Sequence, residues 1–179
     1  MFNKKIVFIT GGARSGKSSF AMAEASKING KKAYIATAEA LDEEMRQRIE
    51  NHKRQRGNSW VTYEEPLKIA EVIKEIEGKY SAILIDCLTL WLSNLFMNNK
   101  KIEREIESFC CSLSTVHCPL FIVSNEVGMG IVPDNELSRK FRDMAGLLNQ
   151  KIASTSDEVY MVVAGIPVKI KEKYNAGDT

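Results

Sequence analysis

The chain has 179 residues, 44% of them hydrophobic and 27% charged, with a net charge of +2. That length fits a single domain, residues 1–179, able to bury about 70% of its unfolded surface. So balanced a charge excludes nucleic-acid binding by bulk basicity. No apolar run approaches the roughly 20 residues of a membrane span. The opening MFNKKIVFITGG has lysines ahead of an apolar run too short for a signal peptide, so a cytoplasmic protein is expected. Cys87, Cys110, Cys111 and Cys118 form no C-x-x-C pair. That favours free thiols in a reducing compartment over a zinc site.

In chain order, short apolar runs alternate with amphipathic stretches. Lys5–Thr10, Lys32–Ala38, Ser81–Asp86, Pro119–Asn125 and Glu158–Ala164 read as strands, nearly continuously apolar and rich in Val, Ile, Tyr and Phe. Such runs suit a parallel sheet buried on both faces. Between them, the stretch from Lys17 to Asn29 reads as a helix ended by Gly30. A second helix is predicted over 41–56, and a third from Pro66, at its first turn, to about Glu77. The longest stripe is Leu137, Phe141, Met144/Ala145, Leu148 and Ile152, with Asp134 as its expected N-cap. Ala164–Lys171 reads as a turn and a short last strand, and the final residues as a loose tail. There are no repeats or linkers. The alternation predicts an α/β fold with a mostly parallel central sheet flanked by helices.

Gly11-Gly12-Ala13-Arg14-Ser15-Gly16-Lys17-Ser18 matches G-x-x-x-x-G-K-[ST], directly after a strand and at the start of a helix. Glycines let backbone N–H groups curl around phosphate oxygens. Lys17 is placed to reach the β- and γ-phosphates, and the Ser18 hydroxyl to bind Mg²⁺. Asp86 ends the apolar strand AILID, the position of a second, acidic Mg²⁺ ligand in P-loop proteins. Its competing role is to cap a helix beginning near Leu88.

The segment RIENHKRQRG sets His52 among Arg48, Lys53, Arg54 and Arg56. Neighbouring cations disfavour protonation, so a neutral, nucleophilic imidazole is expected there. On a helix Arg48, His52 and Arg56 share one face, with Met45 and Ile49 on an adjacent apolar stripe. By pattern alone, a solvated basic helix face is the better account of the segment. Glu64, in WVTYEEP, suits a guanine edge or a cation, though by pattern alone a helix-entry acid is the better reading. Ser124–Asn135 follows a strand where α/β sheets present their sites, so Asn125 and Glu126 are candidates to touch an acceptor or a bridging water. His117 reads as a surface or capping residue.

FITGGARSGKS, YIATAEALDEEMRQRIENHKRQRGNSWVTYEEP, LIDCLTLWLSNL, VSNEVGMGIVPDNELSRKFRDMAGLLNQKIA and VYMVVAGIPVKIK together resemble the bifunctional adenosylcobinamide kinase/adenosylcobinamide-phosphate guanylyltransferase family of cobalamin biosynthesis. The resemblance implies a recombinase-like P-loop NTPase, typically a homotrimer. It implies phosphorylation of the aminopropanol hydroxyl of adenosylcobinamide by ATP or GTP. It also implies transfer of GMP from GTP to the new phosphate through a guanylylated histidine, giving adenosyl-GDP-cobinamide and pyrophosphate. The family's R-I-x-x-H pattern puts that histidine at His52. It puts nucleotide contacts on Gly11–Ser18, Ala36, Thr37, Ala38, Lys53, Arg54, Gln55, Arg56, Glu64 and Asp86. Two other readings remain: a P-loop kinase of another small alcohol or nucleoside that forms no covalent nucleotide, and a non-catalytic nucleotide-binding regulatory subunit.

Overall fold

The computed structural model describes residues 4–39, 43, 47 and 57–172. Seven strands form one sheet: β1 (Ile6–Thr10), β2 (Lys32–Ala36), β3 (Trp60–Glu64), β4 (Ala82–Asp86), β5 (Leu120–Val123), β6 (Glu158–Val163) and β7 (Ile166–Glu172). Their order is β3-β2-β4-β5-β1-β6-β7. Every pairing is parallel except that of β7, which folds back on β6. The described helices are α1 (Lys17–Ser26), α2 (Ile69–Ile76), α3 (Leu88–Met97), α4 (Ile102–Thr115) and α5 (Glu136–Thr155).

Alternation along the strands divides the core in two. Ile6, Phe8, Ile35, Ile83, Ile85 and Ile122 face α2 to α5, while Val7, Ile9, Tyr34, Leu84 and Val123 face α1. Trp91 of α3 anchors the larger side. It lies tilted against Phe109 of α4, ring centroids 5.3 Å apart, and its indole N–H donates to the Leu67 carbonyl at 2.8 Å. Trp91 is fully buried, so its truncation to alanine would cost about 3–5 kcal/mol.

The five strands expected from sequence are present, trimmed by one or two residues where the chain turns into loops. Two elements have no counterpart in the sequence reading. The edge strand β3 carries mixed polar and apolar residues, a weak signal for a strand half open to solvent. The helix α4 does carry a periodic signal, because Ile106, Phe109 and Leu113 are the apolar residues it buries. Three boundaries also differ, the first being that of α1, which ends at Ser26 with Lys27 as its C-cap, short of the expected Gly30. Pro66 is not inside a helix: the Glu65 carboxylate accepts from the Leu67 and Lys68 amides, 2.9 and 2.8 Å, and this turn delays α2 to Ile69. The cap of α5 is Asn135, not Asp134, and its Oδ1 accepts from Ser138 N–H at 2.7 Å. Leu137 of the predicted stripe is exposed, whereas Ala145, Leu148 and Ile152 are buried as its spacing requires. Of the helix expected over 41–56, Glu43 and Gln47 are helical and exposed. The rest of it, His52 included, lies outside the described residues.

Candidate active site

In a parallel sheet the loops leaving the C-terminal ends of the strands share one edge. A crevice opens there between neighbouring strands whose following helices go to opposite faces. β1 leads into α1 on one face, and its neighbour β5 leads through its loop into α5 on the other. The loops after β1 and β5 therefore diverge and form the lips of that crevice.

The first lip is the glycine-rich loop. Gly11 and Gly16 have φ of 147° and 96°, in the region that favours glycine. A Cβ on Gly11 would run into the Val162 carbonyl, and one on Gly16 would come within 3.2 Å of Gly165 Cα. Gly165, in the β6–β7 turn, donates its N–H to Ser15 O at 2.9 Å and braces the loop from outside. Gly16 caps α1, so the first turn of that helix aims its amides into the loop. Lys17 is only 6% exposed, and its ammonium donates to the Gly12 carbonyl at 2.6 Å. The hydroxyls of Thr10 and Ser15 are buried without a hydrogen-bond partner among the described residues. Orphaned donors in a cradle of amides are what a phosphate satisfies.

Asp86 stands two strands away. Register makes it level with Val123 of β5, which is level with Ile9 of β1, so about 10 Å of sheet separates Asp86 from the phosphate strand. Its Oδ2 accepts from the Tyr34 hydroxyl at 2.8 Å. The N-cap of α3 is Cys87, so Asp86 is not spent as a cap. Burial pushes the Cys87 thiol up to about 12, with help from the Asp86 carboxylate, and the Lys17 ammonium pulls the other way.

The remaining nucleotide candidates continue along the edge. Asp86, Ala36 and Glu64 form one row across β4, β2 and β3. Glu64, exposed at the end of β3, is about 19 Å of sheet from β1. Ala36 and Thr37 are buried and Ala38 half-buried. The Thr37 hydroxyl donates to Cys87 O at 2.7 Å and accepts from Cys87 N–H at 2.8 Å, so it ties the ends of β2 and β4 together. His52, Lys53, Arg54, Gln55 and Arg56 lie outside the described residues. Sequence reading missed Tyr34, Thr37's bracing role, Thr89 and Asn149. All four act across elements, and no local pattern announces such contacts. His117 is exposed, its Nε2 3.2 Å from the Glu77 carboxylate, a surface pair that precedes the N-terminal end of β5.

The family described as "Cobinamide kinase / cobinamide phosphate guanyltransferase" matches residues 7–170. The chain belongs to that family. It is 42% identical to the bifunctional adenosylcobalamin biosynthesis protein CobP of Pseudomonas aeruginosa, over 91% of this chain and 95% of that protein. It is 38% identical to the bifunctional adenosylcobalamin biosynthesis protein CobU of Escherichia coli, over 93% of this chain and 99% of the other. Among solved structures it is similar to the flagellar accessory protein FlaH of Methanocaldococcus jannaschii, with a TM-score of 0.54 and 10% identity over 94% of this chain and 79% of that one. It is also similar to the KaiC-like protein PH0186 of Pyrococcus horikoshii, with a TM-score of 0.50 and 15% identity over 88% and 70%. At such identities these two speak to the fold alone, the recombinase-like P-loop fold. Membership makes this cobinamide kinase/guanyltransferase chain a bifunctional transferase, and no described helix is long and apolar enough to cross a membrane.

Proposed function

We propose that the protein phosphorylates adenosylcobinamide with ATP or GTP, then guanylylates the resulting phosphate from GTP through a covalent GMP on His52. The observation that carries the phosphate chemistry is the braced glycine loop with Lys17 folded into it, level with Asp86. Both steps use one triphosphate cradle. In the first, Lys17 and the α1 amides hold the β- and γ-phosphates while the γ-phosphoryl group moves to a hydroxyl. In the second, the same cradle holds the leaving pyrophosphate, and His52 attacks the α-phosphorus. Arg48, Lys53, Arg54 and Arg56 neutralise charge developing there. Gln55 and Glu64 are assigned to the nucleotide, Glu64 to the guanine edge at the far end of the row. Ala36, Thr37 and Ala38 line the wall between.

The donors on this edge fit a magnesium ion. Ser18 and Asp86 are half-buried and offer hydroxyl and carboxylate oxygens, the hard ligands Mg²⁺ takes, and the orphaned Ser15 hydroxyl lies in the same loop. When bound with the triphosphate, Mg²⁺ supplies charge neutralisation between the phosphates. A homotrimer is the assembly we assign to this cytoplasmic enzyme. The apolar residues left exposed on the β6–β7 edge, Val163, Ile166, Val168 and Ile170, are in keeping with an assembled state.

The deciding experiment uses GTP labelled at the α-phosphate. Label should stay on the denatured protein, be released by acid, and be absent from His52→Ala, which keeps its kinase activity. A wild-type protein that phosphorylates adenosylcobinamide but never takes up label would instead be a P-loop kinase without guanylyl transfer.

A further inference from the structure

The crevice between β1 and β5 has a second lip, Asn125–Glu126, for which the nucleotide chemistry has no use. This lip is fixed with unusual care. The Asn125 N–H donates to Thr89 Oγ1 at 2.7 Å, and the Asn125 carbonyl accepts from Asn149 Nδ2 at 3.1 Å. The Glu126 N–H donates to the carbonyl of Gly11, the first residue of the phosphate loop, at 2.9 Å. Two consecutive peptides are thus held by α3, by α5 and by the P-loop.

The residues that do the holding are costly ones. Thr89 and Asn149 are 7% and 8% exposed, polar groups on the buried sides of their helices. Thr89 is further seated against the Ser124 hydroxyl at 3.1 Å. Asn149 keeps its Nδ2 on Asn125 while its Oδ1 stays buried without a partner among the described residues. Such an orphan opposes folding. A loop that merely joins β5 to α5 does not need two buried side chains to fix its first peptides. A pair of side chains that must meet a reacting atom does.

We propose that Asn125 and Glu126 receive the phosphate-accepting hydroxyl of the kinase step. Glu126 takes its proton and Asn125 orients it through its side-chain amide. This rests on the kinase reading above and concerns its acceptor side. The acceptor oxygen bonds to the γ-phosphorus, and the bond from that phosphorus to the β,γ-bridging oxygen breaks. Its electron pair leaves with the nucleoside diphosphate. The hydroxyl proton passes to the Glu126 carboxylate, and from there to water.

Position selects this carboxylate. Asp86 is engaged by Tyr34 and lies two strands from β1, and Glu64 lies four strands away. Glu126 is bonded to the P-loop through its own backbone, and both it and Asn125 are half-buried at the crevice. One carboxylate oxygen accepts from the Gly128 N–H at 2.7 Å, which fixes the side chain over its own turn, and the other receives the proton. Nearby on the same loop, Met129, Ile131 and Val132 are exposed, leaving apolar surface on the acceptor's side.

The two half-reactions separate this role from a structural one. An alcohol must lose a proton as it attacks, whereas a phosphate monoester is already an anion and needs no base. Kinase activity is read with adenosylcobinamide and ATP, and guanylyl transfer with preformed adenosylcobinamide phosphate and GTP. In Glu126→Gln the kinase kcat should fall by about 10²–10⁴ with little change in acceptor KM, while guanylyl transfer stays within about threefold of wild type. Thr89→Val, which removes the acceptor for the Asn125 amide, should lower the kinase kcat by a smaller factor, and Thr89→Ser should restore it. Thermal melts of each variant establish that it is folded. A folded Glu126→Gln with kinase activity within threefold of wild type overturns the inference. So does an equal loss of both activities, which would put Glu126 in the shared nucleotide cradle. A wild-type protein with no kinase activity on adenosylcobinamide would instead overturn the function proposed above, before any variant is made.

Discussion

The loop after β1 and the loop after β5 leave the sheet level with one another, and then part to opposite faces. The first closes on itself. It has positive-φ glycines, a lysine tucked under its own carbonyl, and a brace from the β6–β7 turn. The second is fixed at its root by Thr89, Asn149 and Gly11 and at its far end by Arg139, which donates to the Pro133 and Asp134 carbonyls, and between the two it opens. Met129, Ile131 and Val132 are 76%, 96% and 59% exposed. On the function proposed above, the contrast follows from what each loop would bind. A triphosphate is small, highly charged and always the same, so fixed dipoles serve it best. A corrinoid acceptor is a large macrocycle, so it would need open surface, with its hydroxyl alone held closely.

The largest break in that comparison should come from Lys17→Ala. It removes the charge that both proposed steps would share, and both rates should drop by about 10²–10³. Parallel assays of the two activities check this, and a variant that loses one and keeps the other would show that the cradle is not shared. Next is Gly11→Ala, whose added Cβ meets the Val162 carbonyl at a φ that alanine rarely adopts. A loss of about 1–3 kcal/mol is expected, seen as a melting temperature lower by several degrees, together with weaker nucleotide binding. Third is Ile131→Asp on the open lip. It should raise the acceptor KM roughly tenfold and leave the KM for ATP and the melting temperature unchanged, because nothing in the described fold packs on that side chain.

The smallest effect sharpens the buried side of the comparison. Burial holds the Cys87 thiol protonated up to about 12, while an unfolded thiol ionises near the ordinary value of 9.0. The folded state therefore keeps a proton that the unfolded state gives up. Stability from this group is complete below pH 9 and is lost as pH rises toward 12. Denaturant midpoints across that range should fall less steeply in Cys87→Ala than in wild type. Under native conditions at pH 8, a thiol reagent should label the exposed Cys111 and spare Cys87.

Much of this was legible in one dimension. The phosphate loop can be read as a string because its chemistry is local: backbone amides of consecutive residues wrap one anion, so the spacing of Gly11, Gly16, Lys17 and Ser18 is itself the geometry. The parallel strands are legible because burial on both faces demands unbroken apolar runs. Asp86 was placed correctly at a strand end for the same reason. β3 was not, since a half-exposed edge strand has little apolar demand on its residues. The start of α2 was misplaced because a Glu65 side chain, not the proline, decides where its amides go.

What the sequence determined alone is the α/β alternation, the P-loop and the family to which they belong. Strand order belongs to the tertiary structure. It puts β5 between β1 and β4, sends α1 and α5 to opposite faces, and so makes Asn125–Glu126 the second lip of the phosphate crevice. It also brings Tyr34 onto Asp86, 52 positions away in the chain, and Thr37 onto Cys87, 50 positions away. Such pairs carry no signature in sequence, because a single hydroxyl looks the same whether it faces water or the backbone of a distant strand. Only packing the strands side by side decides which of them becomes part of the site.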